Sequence, residues 1–266
     1  MKLKPVPVAQ APRFVSGSLP LVKGRETRFV QLTDTHAPYS IPLGPVFEFI
    51  EDYKPDYVLL TGDNSDMSCF SHWEKRKRGT AQLLQDPKDY YGSVNGCFYE
   101  PLRRAAPKSK IVHFIGNHEA WAYQAIDDMP EGRGYWEPEN NIRGVDLWVR
   151  QFRLANLGKL HFLHGEHAVG KYHAHGMLQL YRRSLRYGHR HDGQEAFYTS
   201  PVDVEDRHSA RCCGTLQHFN PNFMQNRPHN WVHGFNAGIV APDGMFWDQL
   251  TKIIRGRFYA ESRWYK

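Results

Sequence analysis

Five short segments of this 266-residue chain place metal-binding side chains beside small or flexible residues. They are Thr33-Asp34-Thr35-His36, Thr61-Gly62-Asp63-Asn64, Gly116-Asn117-His118-Glu119, His164-Gly165 and Gly188-His189-Arg190-His191. Asp, Asn and His supply oxygen and nitrogen donors suited to manganese, iron, zinc or cobalt. In extended chain, residues two apart project to the same side, so Asp34 with His36, and His189 with His191, can address one centre. Glycine at 62, 116 and 165 allows tight turns and close backbone approach. Singly, each residue has an ordinary reading. Asp34 is then a strand-end cap, Asp63 a turn residue, and His118 a histidine that never meets a ligand.

The elements around these segments give them a common address. Phe29–Leu32, Tyr57–Leu60, Ile111–Ile115 and Leu160–Leu163 are short apolar runs that read as strands. Strands this apolar suit sheets covered on both faces. Each ends at one of the polar clusters, and ligand sites in α/β sheets lie outside the carboxyl ends of strands. Pro45 followed by Val46, Phe47, Phe49, Ile50 and Tyr53 predicts a helix with one buried face. The Leu185–Tyr187 run is short and polar for a strand, which predicts a sheet edge. Beyond about Arg211 the pattern turns to hairpins, with Ala241-Pro242-Asp243-Gly244 as a turn.

Residues 1–25 carry four prolines and little periodicity, and read as an irregular arm. Residues 26–266 read as a single domain, with a helical insertion over about 66–110. That insertion contains a basic cluster, His72 to Arg78, read as a solvated face, and a helix around Phe98 to Ala106. The net charge of +6 points weakly to an anionic partner. Cys69, Cys97, Cys212 and Cys213 form no CxxC pair, so they read as reduced thiols of a cytoplasmic protein. No apolar run is long enough to span a membrane, and the start reads as an extended tail rather than a signal peptide.

Taken together and in order, the five segments resemble the calcineurin-like metallophosphoesterase family, with its DxH, GDx, GNHE, HG and GHxH motifs. The resemblance runs from Asp34 to His191, over half the chain, and its overall pattern is similar to stand-alone phage and bacterial members. It implies a four-layer α/β/β/α sandwich of two mixed sheets with outer helices. It also implies two divalent cations, with manganese as the first expectation and iron, zinc or cobalt as alternatives. One would be held by Asp34, His36, Asp63 and His191, the other by Asp63, Asn117, His164 and His189, with Asp63 as the bridge. His164 is chosen over His161 and His167 because it ends the apolar strand and precedes glycine.

The implied chemistry is attack on a phosphoester by a hydroxide bridging two metals about 3.5–4 Å apart. His118 would protonate the leaving group, oriented by a carboxylate such as Asp34. Asn117, His118, Lys171 and Arg190 are the residues expected to meet the substrate. Arg182, Arg183 and Arg186 lie near the ligands in sequence as well. The phosphoprotein phosphatase branch has an arginine after its second motif, where this chain reads Asp66-Met67-Ser68. A phosphodiesterase, with nucleic acid within its substrate range, is therefore the first expectation. A phosphomonoesterase is the alternative, and a non-catalytic binding scaffold the third reading.

Overall fold

The computed structural model describes residues 12–71, 86–221 and 224–266. In chain order the strands are β1 (Gly17–Leu19), β2 (Thr27–Leu32), β3 (Tyr57–Leu60), β4 (Lys110–Phe114), β5 (Leu147–Val149), β6 (Ala155–Leu157) and β7 (Leu160–Phe162). They continue as β8 (Ser184–Tyr187), β9 (Glu195–Thr199), β10 (Arg207–Cys212), β11 (Gly234–Val240), β12 (Phe246–Lys252), β13 (Phe258–Ala260) and β14 (Arg263–Tyr265). One six-stranded sheet has the order β12-β11-β2-β3-β4-β5 and the other β1-β6-β7-β8-β10-β9, while β13 and β14 form a small hairpin. Both large sheets are mixed. In the first, β2 to β5 run parallel and β11 and β12 antiparallel to their neighbours.

The period-two alternation of each strand builds the layers. Along β2, Phe29 faces the second sheet and packs on Phe162 of β7, with ring centroids 5.3 Å apart. Its neighbours Val30 and Leu32 face the other way, into a core shared with helix α1 (Gly44–Tyr53). Leu185 and Tyr187 of β8 pack on Met177 and Leu178 of a helix over His173–Tyr181. The result is the expected sandwich: helix, sheet, sheet, helix.

The insertion packs on the outer face of the first sheet. Helix α2 (Pro87–Val94) runs through one π-type turn, Asn95–Tyr99, into α3 (Glu100–Ala105). Its Tyr90 hydroxyl accepts from Met67 N at 2.6 Å and donates to Ala37 O at 3.2 Å. Tyr99 OH meets Ser65 Oγ at 2.7 Å. The insertion thus supports the loops after β2 and β3 from behind. The basic cluster His72 to Arg78 lies outside the described residues.

Two expectations are corrected. Within the described part of the arm, residues 12–25, Gly17–Leu19 adds an edge strand parallel to β6, and Phe14 forms a bridge with Trp148. β8 is not an edge strand: it lies between β7 and β10, and all four of its residues are buried. Its polar Arg186 misled the reading. That side chain enters the layer between the sheets and forms a bidentate pair with Asp248 of β12, at 2.5 and 2.7 Å. Arg211 of β10 reaches the same carboxylate at 2.9 Å, and Asn236 donates to it at 2.8 Å. Arg186 is therefore committed to joining the sheets and is not placed to meet a substrate.

Burial acts to raise the Asp248 carboxyl, but the guanidiniums of Arg186 and Arg211 overcome it and hold the pKa below its ordinary value. The folded pKa lies below the unfolded one. The ion pair therefore contributes fully above the unfolded value and fades as pH falls through the folded one. Removing one partner of a buried pair costs about 3–5 kcal/mol. Urea unfolding of Asp248→Asn near neutral pH should show a loss of about that size, and the gap to the unsubstituted protein should narrow below about pH 4.

Candidate metal centre

The parallel strands β2, β3 and β4 end side by side, and so do β7 and β8 of the other sheet. The loops that follow converge at the same edge of the sandwich. Three groups of side chains there have ligand atoms within 4.8 Å of one another: Asp34, His36 and His191; His36, Asp63 and His118; and Asp63, His164 and His189. Asp63 belongs to two of them. Asn117 joins through its Oδ1, 3.1 Å from His164 Nε2.

The backbone is strained to bring these donors inward. Asp34, His36, Asp63, His189 and His191 all have φ between 49° and 68°. That left-handed region costs a non-glycine residue about 1–2 kcal/mol. Gly188 allows the closest approach of the two sheets' loops. A Cβ there would lie 1.8 Å from Thr33 Oγ1 and 2.2 Å from Asp34 Oδ2. Gly62 combines φ +91° with a close approach to the His164 ring, which a Cβ would meet at 2.4 Å.

Each donor is oriented by a second partner. Thr33 Oγ1 and His189 N donate to Asp34 Oδ2, at 2.6 and 2.8 Å. Asp34 Oδ1 stays buried without a hydrogen bond among the described residues. His36 Nδ1 sits 3.1 Å from Asp66 Oδ1, and its Nε2 is likewise buried and unbonded. The ring donates through Nδ1 and leaves the Nε2 lone pair free, as in metal-bound histidines. His164 makes the point most sharply. Its Nδ1 donates to Thr61 O at 2.9 Å, and its Nε2 faces Asp63 Oδ2 and Asn117 Oδ1, both at 3.1 Å. Two acceptor oxygens this close to one ring nitrogen call for a proton or a cation among them. This donor set therefore fits divalent cations.

The charges agree. Burial acts to raise the carboxyls of Asp34 and Asp63, but His191 beside the first, and His164 and His118 beside the second, hold both below the ordinary range. Burial acts to lower His164, and Asp63 overcomes it to push that imidazole well up. Burial and then His164 bring His189 down to about 4, which keeps it a neutral donor. Burial and then His118 lower His36.

His118 stands apart from the ligand pattern. Its Nδ1 donates to Asp66 O at 2.6 Å, and its Nε2 is 3.9 Å from Asp63 Oδ2. Burial opposes its charged form, but Asp63 and Asp66 outweigh burial and raise its pKa. Asp66, not Asp34, is thus the residue that orients it. Arg190 is exposed between the two histidines of its motif. Lys171 is exposed over the Tyr172 ring and, among the described residues, makes no bond to the cluster. Arg182 and Arg183 are exposed, and line a separate cavity of about 630 Å³ with Phe197 and Tyr198.

Sequence reasoning missed two positioning residues that stand inside the motifs. Asp66, three residues after Asp63, serves His36 and His118 together. Glu119, the last residue of Gly116–Glu119, is fully buried and accepts from Asp63 N, Gly116 N and Ser65 N at 2.9–3.0 Å. It back-bonds the first turn of helix α4 (Asn117–Asp128) and pins the β3 loop at once. Burial and the nearby Asp63 raise its pKa to about 7. Glu119→Ala would strand three backbone donors, at about 1–3 kcal/mol each where no water replaces the carboxylate. Chemical denaturation should show a loss of several kcal/mol, with Glu119→Gln intermediate, and equilibrium dialysis should show weaker manganese retention for both.

The calcineurin-like phosphoesterase family model matches residues 27–241. No curated protein matches the chain. Among solved structures, Vps29 from Entamoeba histolytica complexed with zinc is 12% identical with a TM-score of 0.44, covering 90% of this chain and all of that one. Vps29 from Chaetomium thermophilum is 11% identical with a TM-score of 0.38, covering 85% and 97%. A Streptococcus pneumoniae TIGR4 protein described as a predicted phosphoesterase is 12% identical with a TM-score of 0.32, covering 85% and 98%. With its family's match extending over most of the chain and both sheets, this protein belongs to the calcineurin-like phosphoesterases.

Proposed function

We propose that the protein is a dinuclear metal-dependent phosphodiesterase, with Asp34, His36, Asp63 and His191 holding one cation and Asp63, Asn117, His164 and His189 the other. The reading rests on one observation above all: Asp63 shares one donor group with His36 and another with His164 and His189, while Asp34 Oδ1, His36 Nε2 and His191 Nδ1 are buried without a hydrogen bond among the described residues. When bound, two divalent cations neutralise phosphoryl charge and lower the pKa of a water. Manganese remains the first candidate.

The chain's own residues would do the rest. Asp63 presents Oδ2 to the centre while Oδ1 accepts from His118 N at 2.9 Å. That bond ties the carboxylate to the start of α4, where the helix dipole favours negative charge. His118, charged and held through Nδ1 by Asp66, would deliver the proton on Nε2 to the departing oxygen. Arg190, and Lys171 should its loop reach the site, would meet phosphate oxygens. A diester carries one negative charge, and no arginine follows Asp66 to bind the second charge of a monoester.

Hydrolysis of bis(p-nitrophenyl) phosphate and p-nitrophenyl phosphate with added manganese tests this reading. Faster turnover of the diester is expected. Preference for the monoester would make the protein a phosphatase, and no turnover of either would favour a binding scaffold. Asp63→Asn should lose metal occupancy, measured by metal analysis after dialysis, together with activity. Retention of both metals and normal turnover would remove Asp63 from its role. His118→Ala should keep its metal and lose about 10²–10⁴-fold in kcat, most for poor leaving groups. An equal loss across leaving groups would argue against an acid.

A further inference from the structure

A continuous row of rings crosses the centre. Trp121 packs on His118 at 4.0 Å between centroids, His118 on His36 at 4.5 Å, His36 on His191 at 5.2 Å, and His191 on Trp231 at 4.3 Å. The row ends in an indole on each side. Trp231 then continues outward to His229 at 4.8 Å, and His229 to Phe219 at 5.3 Å. Trp231 is half-buried, while His229 and Phe219 are exposed.

This outer platform is held in place. Val232 N donates to His191 O at 2.8 Å, and Asn230 Nδ2 to Asp192 Oδ2 at 3.1 Å. Asp192 in turn pairs with the buried His173 at 2.9 Å. Trp231 is therefore fixed to the same loop that carries His189 and His191, beside the place where a phosphoryl group would sit. A rigid aromatic surface next to a phosphate site matches a ligand that carries a planar ring on the group esterified to its phosphorus. Nucleotides have that form, with the sugar between base and phosphate, and base–aromatic stacking needs the base unpaired. Arg190, exposed between the two histidines, adds positive charge on the path of a phosphate backbone.

We infer that Trp231 and its aromatic neighbours bind an unpaired nucleobase, so that the substrate is a nucleotidyl phosphodiester. This deepens the phosphodiesterase reading and rests on it.

The test compares two diesters with the same leaving group, thymidine 5′-(p-nitrophenyl phosphate) and methyl p-nitrophenyl phosphate, with manganese. Stacking of one base predicts a KM lower by on the order of tenfold for the thymidine ester. Trp231→Leu should collapse that preference toward unity, and Trp231→Phe should keep most of it. An equal KM for the two esters, or an equal loss on both in Trp231→Leu, would overturn the inference and leave the phosphodiesterase reading standing. If neither ester turns over, that reading fails by itself. Binding then decides: quenching of indole fluorescence by thymidine 5′-monophosphate and not by methyl phosphate, lost in Trp231→Leu, supports base stacking, and its absence rules it out.

Discussion

Among the described residues, the nitrogen and oxygen donors of Asp34, His36, Asp63, His164, His189 and His191 crowd together in a buried pocket, in groups whose atoms lie within 4.8 Å of one another. His164 commits its Nδ1 to Thr61 O and turns its Nε2 to the oxygens of Asp63 and Asn117. His36 does the same through Asp66. A pocket of this kind is unfavourable when empty and dry, because each donor has lost water without gaining a counter-charge. Protonating His164 relieves part of the repulsion, which is why its pKa is pushed up. A divalent cation among the donors would supply the missing counter-charge.

The rest of the fold can be understood as support for that concentration of donors. Five ligand positions hold left-handed backbone, a cost that only surrounding structure can sustain. Glu119 pins the β3 loop to the start of α4 through three backbone N–H groups. Tyr99 and Tyr90 brace the same loop from the inserted helices. Between the sheets, Arg186, Arg211, Asn236 and Asp248 lock β8 and β10 to β11 and β12. That lock bears on the candidate centre because β8 leads into His189 and His191 from the second sheet, while the first leads into Asp34, Asp63 and Asn117. A centre shared by two sheets is only as well defined as their relative position.

The outer surroundings differ in kind from the inner ones. Inside, short bonds orient each donor from behind while Asp34 Oδ1, His36 Nε2 and His191 Nδ1 stay unbonded among the described residues. Flanking them, Trp121 packs on His118 and Trp231 on His191, with His229 and Phe219 beyond. The inner arrangement is a general solution to holding cations. The outer one is where a particular substrate would be told from another.

Much of the centre was legible in the sequence because metal chemistry restricts residue type and strand ends restrict position. Asp63, Asn117 and His189 follow a glycine, His164 follows an apolar run, and Asp34, His36 and His191 lie within four residues of one or the other; the structure brings all seven to one edge. The apolar runs themselves, and the Ala241–Gly244 turn, were equally plain. Three features were not, each for the same reason. Arg186 lies near the candidate ligands in sequence and makes its strand polar, but β8 sits between β7 and β10 and its partner Asp248 is 62 residues away. Glu119 looked like the tail of a motif, yet its partners lie 54 to 56 residues back as well as next door. Asp66 displaced Asp34 as the partner of His118 because loop geometry, not residue type, sets which carboxyl group reaches an imidazole. The chain alone determined which atoms can bind a cation and where strands end, since those follow from local chemistry and periodicity. Only the tertiary structure decided which neighbour charges, orients or neutralises each of them, because such pairings depend on sheet order and on distances that no local pattern encodes.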